Sequence, residues 1–184
     1  MDALVHAIES YIGRSNTKQT IKDAETTFKL IKENLLAAYE KGDDIAARKN
    51  MLLASYYAGR AFTRAYVGNV HALAHTLSGF YQVPHGLANA VLLPVVLEYY
   101  GKAIHKKLAR IAQIMGLEEN AKSMIEYLKD LNAKMNIPKT IRGIKDEDIP
   151  QMIKDAVKEA NPLYPVPKIF RKSDFKKILM EVKE

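Results

Sequence analysis

The sequence contains no cysteine. That absence excludes a disulfide scaffold, a thiolate zinc site, an iron–sulfur cluster and a cysteine nucleophile, and it is compatible with the cytoplasm. No run alternates β-branched and polar residues as a half-buried strand does, so nothing points to a parallel sheet. No glycine-rich turn feeds a helix, which excludes a recognisable phosphate-binding loop. Charge is missing altogether from Ala65 to Leu97. This stretch is nevertheless no membrane span: His71, His75, His85, Asn69, Gln82, Asn89, Pro84 and Pro94 interrupt it. Its longest apolar run, Ala90 to Leu97, is too short to cross a bilayer. It reads as the buried centre of a domain. Asp2, His6 and Glu9 occupy positions where a secretory leader would be apolar, so no leader is expected there.

What is present is the composition of an ordinary folded chain: 184 residues, 48% hydrophobic and 27% charged. That is enough for one core. The net charge is 28 − 21 = +7. Nearly all of the excess lies after residue 100, as lysines scattered through helical patterns. Solvated helix faces explain it, and no nucleic-acid motif accompanies it, so neither nucleic acid nor membrane is an expected partner.

Apolar residues recur at helical steps along nearly the whole chain. Asp2 to Tyr11 predicts a helix ended by Gly13. Ile21, Ala24, Phe28, Ile31, Leu35 and Tyr39 form a second stripe, closed by Gly42. Asp43 is the expected cap of a third helix running towards Phe62, in which Gly59 and several alanines predict a close neighbour. Shorter helices are expected over Val70 to Leu77 and from Pro84 to Tyr100, the latter disturbed by Pro94. Ala103 to Met115, Glu119 to Met135 and Asp148 to Ala160 follow. Asn161 to Pro167, with three prolines, predicts a stiff extended link, and Ser173 the cap of a last helix reaching Val182. The expected fold is all-α, seven to nine helices, as a single domain over residues 1–184.

Four of the five histidines, His6, His71, His75 and His85, fall in the first half. Asp2 and His6 are four residues apart, as are His71 and His75, so each pair shares a helix face. Neutral imidazoles with one carboxylate suit Fe²⁺ or Zn²⁺, and suit Mg²⁺ or Ca²⁺ poorly. The residues alone leave open that these are satisfied structural histidines; His71 and His75 enclose Ala-Leu-Ala, with no glutamate base of the zinc-protease kind. His105, among Lys102, Lys106 and Lys107, reads as a surface histidine.

Met1-Asp-Ala-Leu-Val-His-Ala-Ile-Glu-Ser-Tyr11, Gly59-Arg-Ala-Phe62, His71-Ala-Leu-Ala-His75, Pro84-His-Gly-Leu-Ala-Asn-Ala-Val-Leu-Leu-Pro94 and Asn161-Pro-Leu-Tyr-Pro-Val-Pro167 together resemble the iron-containing (group III) alcohol dehydrogenases. The resemblance covers essentially the whole chain, and only the helical C-terminal domain of that family, a dehydroquinate synthase-like α domain. It implies that Asp2, His6, His71 and His85 hold a catalytic Fe²⁺ or Zn²⁺. It further implies that His75 stands near the nicotinamide and substrate as a proton relay or cofactor contact. Phe62 and Phe80 are expected beside the substrate, and Asn89 behind the metal or at a helix end.

The family's N-terminal dinucleotide-binding domain is not in this sequence. The resemblance therefore implies the metal-bearing part of an NAD- or NADP-dependent enzyme interconverting an alcohol and its aldehyde or ketone when combined with a nucleotide-binding domain, whether the chain is a fragment, a truncated product or half of a split enzyme with that domain in trans. A rival expectation is a non-catalytic helical remnant that binds a divalent metal or a protein partner. Little turnover by the chain alone, weak dinucleotide binding, a frayed hold on metal at Asp2 and homodimerisation through an uncovered apolar surface are further expectations.

Overall fold

A computed structural model describes residues 1–184 as nine α-helices with no sheet; the sole β feature is a single bridge between Ile141 and Lys183. The helices are α1 (Asp2–Ile12), α2 (Lys18–Glu40), α3 (Ile45–Ala65), α4 (Asn69–Tyr81), α5 (His85–Tyr100), α6 (His105–Ile114), α7 (Ala121–Lys134), α8 (Ile149–Ala160) and α9 (Lys172–Val182). The all-α expectation holds, and so does the helix number.

Helices α2 and α3 form a long antiparallel hairpin against which α1 packs. Ala54, Ala58 and Ala61 are buried there and let the axes approach; Gly59, contrary to expectation, faces open space. The third helix is capped by Asp44 rather than Asp43, its carboxylate accepting from Ala47 N at 2.9 Å. Likewise Ser173 does not cap α9. It lies inside the first turn, and the Asp174 carboxylate accepts from Arg171 N at 2.8 Å instead. In the proline-rich link, Tyr164 N bonds back to Ala160 O, so the segment begins as a turn and is not extended throughout.

Helix α5 is the axle of the molecule, touching α1, α4, α7 and α9. Ala88 to Leu97 are buried without interruption, which accounts for the missing charge there: no side of this stretch meets water. Pro94 sits within it and removes the N–H that would bond Ala90 O. The carbonyl is not orphaned, because Asn132 Nδ2 of α7 donates to it at 2.7 Å. Helix α4 lies across α5 and under α8. These contacts bring the first turns of α1, α4 and α5 to one place.

Candidate functional site

Helix α1 contributes Asp2 and His6 on one face, with His6 Nδ1 3.5 Å from Asp2 Oδ2. Helix α4 brings His71 Nε2 to 3.7 Å from Asp2 Oδ1, and α5 brings His85 Nε2 to 3.6 Å from the same oxygen. Donor atoms of Asp2, His6 and His71 all lie within 4.8 Å of one another. The structure thus draws together all four residues singled out in the sequence. Asn89, one turn after His85, donates from Nδ2 to Asp2 Oδ1 at 2.7 Å and lies 3.0 Å from His85 Nε2. Of its two expected places, it takes the one against the cluster.

Sequence reasoning missed Glu9. It lies seven residues after Asp2 on the same face of α1 and is buried. Its carboxylate accepts from Gly68 N at 2.9 Å and Val70 N at 2.8 Å, capping an α4 whose own N-cap residue, Gly68, has no side chain. The same carboxylate meets His71 Nδ1 at 2.7 Å. With Nδ1–H donating to Glu9, the unprotonated nitrogen of neutral His71 is Nε2, the one facing Asp2. The available signal was the i, i+4, i+7 spacing of Asp2, His6 and Glu9.

The field inside the cluster is strong. Burial alone would lower the His71 pKa, but hydrogen bonds to Asp2 and Glu9 outweigh it and raise it to about 9. His6 goes the other way, to about 4, through burial and then the nearby His71 charge. Burial also lowers His85. Asp2 is held below the usual carboxylate range: burial opposes this, and hydrogen bonds from His71 and Asn89 and the proximity of His6 overcome it.

His75 lies beside the cluster. Its ring stacks on His85 with centroids 5.1 Å apart and planes 13° from parallel. Its Nδ1 turns outward to Glu159 Oε1 of α8 at 2.6 Å, and Tyr164 OH donates to that same oxygen at 2.5 Å. Nothing in the sequence marked Glu159, which lies far along the chain from His75. Phe62 stacks on His6 with centroids 4.1 Å apart and walls the cluster. Phe80 is partly exposed and borders an open cleft of about 440 Å³ with His75, Thr76, Gly79, Asp155 and Glu159. His105 is exposed, as expected.

This donor set fits a divalent cation. Ligands at roughly 2.1 Å in a tetrahedron stand about 3.4 Å apart, close to the 3.5 Å and 3.7 Å that separate Asp2 from His6 and His71; His85 lies 3.6 Å from Asp2 but outside the group whose donor atoms are all mutually close. Once the Nε2 proton of His71 is displaced, the Asn89 amide, whose own Oδ1 is buried without a partner, faces three converging acceptors: Asp2 Oδ1, His71 Nε2 and His85 Nε2. Converging lone pairs of this kind call for an electrophile.

Residues 1–182 match the Fe-containing alcohol dehydrogenase family, C-terminal. The chain belongs to that family. Among members of the Fe-containing alcohol dehydrogenase family, 1,3-propanediol dehydrogenase of Citrobacter freundii is 42% identical over 170 residues, covering 88% of this chain and 44% of that protein. Alcohol dehydrogenase 4 of Saccharomyces cerevisiae is 42% identical over 165 residues, covering 87% and 43%. A 1,3-propanediol oxidoreductase crystal structure superposes with a TM-score of 0.92 at 38% identity, over 99% of this chain and 50% of that one. An alcohol dehydrogenase from Oenococcus oeni gives a TM-score of 0.91 at 36% identity, again over 99% and 50%. The chain therefore spans less than half the length of these sequence relatives, and it corresponds to the helical C-terminal part of the iron-type alcohol dehydrogenase architecture.

Proposed function

We propose that residues 1–184 are the metal-bearing domain of an NAD- or NADP-dependent alcohol dehydrogenase, interconverting a small alcohol and its aldehyde or ketone in the cytoplasm together with a nucleotide-binding domain. The observation that carries this reading is the convergence of Asp2, His6, His71 and His85 in a chain of this family. These four would hold Fe²⁺ or Zn²⁺, which when bound supplies Lewis acidity towards an alcohol or carbonyl oxygen. Asp2 contributes the one anionic donor, and Asn89 steadies its carboxylate. Phe62 covers one side of the cluster and keeps water from His6. His75 would pass a proton outward, a reading supported by its ring against His85 and its Nδ1 contact with the half-exposed Glu159. Hydride transfer needs the nicotinamide held in register with the substrate carbon, a task for the other domain. Ile45, Leu52 and Tyr56, exposed along α3, support contact with a further domain or a second copy of the chain.

The test is metal analysis and NAD(P)H production from primary alcohols, with the chain alone and mixed with a homologous nucleotide-binding domain. Metal-dependent turnover on mixing, lost in His71→Ala, is the expected result. Metal bound without turnover in either case would favour the non-catalytic remnant. Undiminished metal stoichiometry and affinity in both the His71→Ala and His85→Ala variants would remove the ligand set.

A further inference from the structure

Glu9 is the one carboxylate the cluster buries completely, and the proposed ligand set leaves it without a task. Four polar hydrogens are directed at it: the backbone N–H groups of Gly68, Val70 and, at 3.4 Å, His71, and the His71 Nδ1–H at 2.7 Å. Three belong to the backbone that starts α4, and the fourth belongs to the ring that points its other nitrogen at Asp2. We propose that Glu9 is a positioning residue that locks His71 in the Nδ1–H form and in the orientation that offers Nε2 to a divalent cation. The inference rests on the metal site proposed above.

The geometry singles out a carboxylate over any neutral group. Both Glu9 oxygens accept, Oε1 from Val70 and Oε2 from Gly68 and His71. An amide in the same place must turn its NH₂ towards one of these two sets of donors. Directed at Val70, it opposes an N–H with an N–H. Directed at His71, it donates to Nδ1 and moves the ring proton to Nε2, where a cation would bind. Gly68 is part of the same device: a Cβ built there would lie 2.7 Å from Glu9 Oε1 and 3.2 Å from Cδ, so the close approach of carboxylate and backbone requires glycine. Outer partners that orient ligating histidines in this way typically change metal affinity by about ten- to a hundredfold.

The experiment measures Zn²⁺ affinity by chelator competition, the His71 ring protonation by ¹⁵N NMR of the Zn²⁺-loaded full chain, and thermal unfolding. It compares wild type, Glu9→Gln and Gly68→Ala. Gly68→Ala displaces the carboxylate without changing its chemistry and decides the matter if Glu9→Gln does not fold. We expect about ten- to a hundredfold weaker Zn²⁺ binding in both variants and a His71 Nδ1–H resonance protected from exchange only in wild type. A cap that served α4 alone would lower Tm but leave Zn²⁺ affinity and ring protonation as in wild type, and that result would overturn the proposal. A wild type that binds no Zn²⁺ would overturn the ligand set itself, and this inference with it. Wild-type binding through a His71 protonated at Nε2 would overturn the positioning role alone.

Discussion

Two histidines one turn apart on α4 each pair with a glutamate, at 2.7 Å for His71–Glu9 and 2.6 Å for His75–Glu159, yet their surroundings are opposite. Side-chain exposure is 2% and 1% in the first pair and 44% and 28% in the second. The buried pair cannot be solvated if it breaks, so it fixes a geometry. The open pair exchanges its partners for water at little cost, so it is suited to moving a proton. The same two residue types sit in different surroundings because α8 covers only the outer pair, and incompletely, while α1 and α5 close over the inner one, and the proposed roles follow that difference.

The widest separation between the two pairs should appear in metal retention. His71→Ala removes a donor from the centre of the cluster, and Zn²⁺ affinity is expected to fall by at least about a hundredfold. His75→Ala leaves all four proposed donors in place and should change affinity by no more than a few fold. Chelator competition on the two variants in parallel checks this. Equal losses would erase the proposed distinction between an anchoring and a proton-handling histidine.

Stability should divide in the same sense. Glu9→Ala leaves the Gly68 and Val70 N–H groups and the His71 ring without their acceptor in a dry site, for a loss of roughly 3 kcal/mol and a fall in Tm of about 6–12 °C. Thermal unfolding of the metal-free protein measures it. A loss below about 1 kcal/mol would mean that water reaches the inner pair, and the contrast in burial would carry no energetic weight.

The pH dependence of the metal-free protein sharpens the picture further. The folded pKa of His71, about 9, lies above the unfolded value, so protonated His71 stabilises the fold fully below about pH 6.5. That contribution is lost as pH rises towards 9. His6, at about 4, is held neutral, and stability declines as pH falls from about 6.5 towards 4. A maximum between these limbs is expected, with the alkaline limb flattened in His71→Ala. Cation binding must displace the His71 proton, so Zn²⁺ affinity should rise with pH up to about 9. A flat affinity profile between pH 6 and 9 would show that His71 carries no such proton.

These contrasts show what a linear sequence can and cannot reveal. The pairing of Asp2 with His6 and the uncharged surroundings of His71, His75 and His85 were legible from spacing and composition, whereas the choice of Asp2, His6, His71 and His85 as one set came from the family resemblance. Glu9 shared that spacing logic with Asp2 and His6, but glutamate on a helix ordinarily marks a solvated face, and only the start of α4 seated over its carboxylate shows it buried. Glu159 carried no local signal, since its partner is a tertiary neighbour. The nine helices followed from apolar periodicity. Their caps did not: Asp43 and Asp44 are chemically alike, and which carboxylate meets the free N–H depends on backbone geometry. The role of Asn132 at Ala90 O was likewise hidden, although Pro94 announced that some carbonyl would need a donor.

The smallest effect is expected at the outer pair itself. Glu159 is held below the ordinary carboxylate pKa: burial opposes this, and hydrogen bonds from His75 and Tyr164 outweigh it. A lowered folded pKa stabilises the fold above the unfolded value and loses that contribution as pH falls through the carboxylate range. Glu159→Gln keeps an acceptor for Tyr164 and removes only a half-exposed charge, so the loss at pH 7 should stay below about 1 kcal/mol. Zn²⁺ affinity should be unchanged. Paired unfolding curves of wild type and Glu159→Gln at pH 7 and pH 4 test this, with the difference between them narrowing on acidification. A loss above about 2 kcal/mol at pH 7, or weakened Zn²⁺ binding, would show that His75–Glu159 is as much an anchor as His71–Glu9, and exposure would then no longer explain how the two pairs differ.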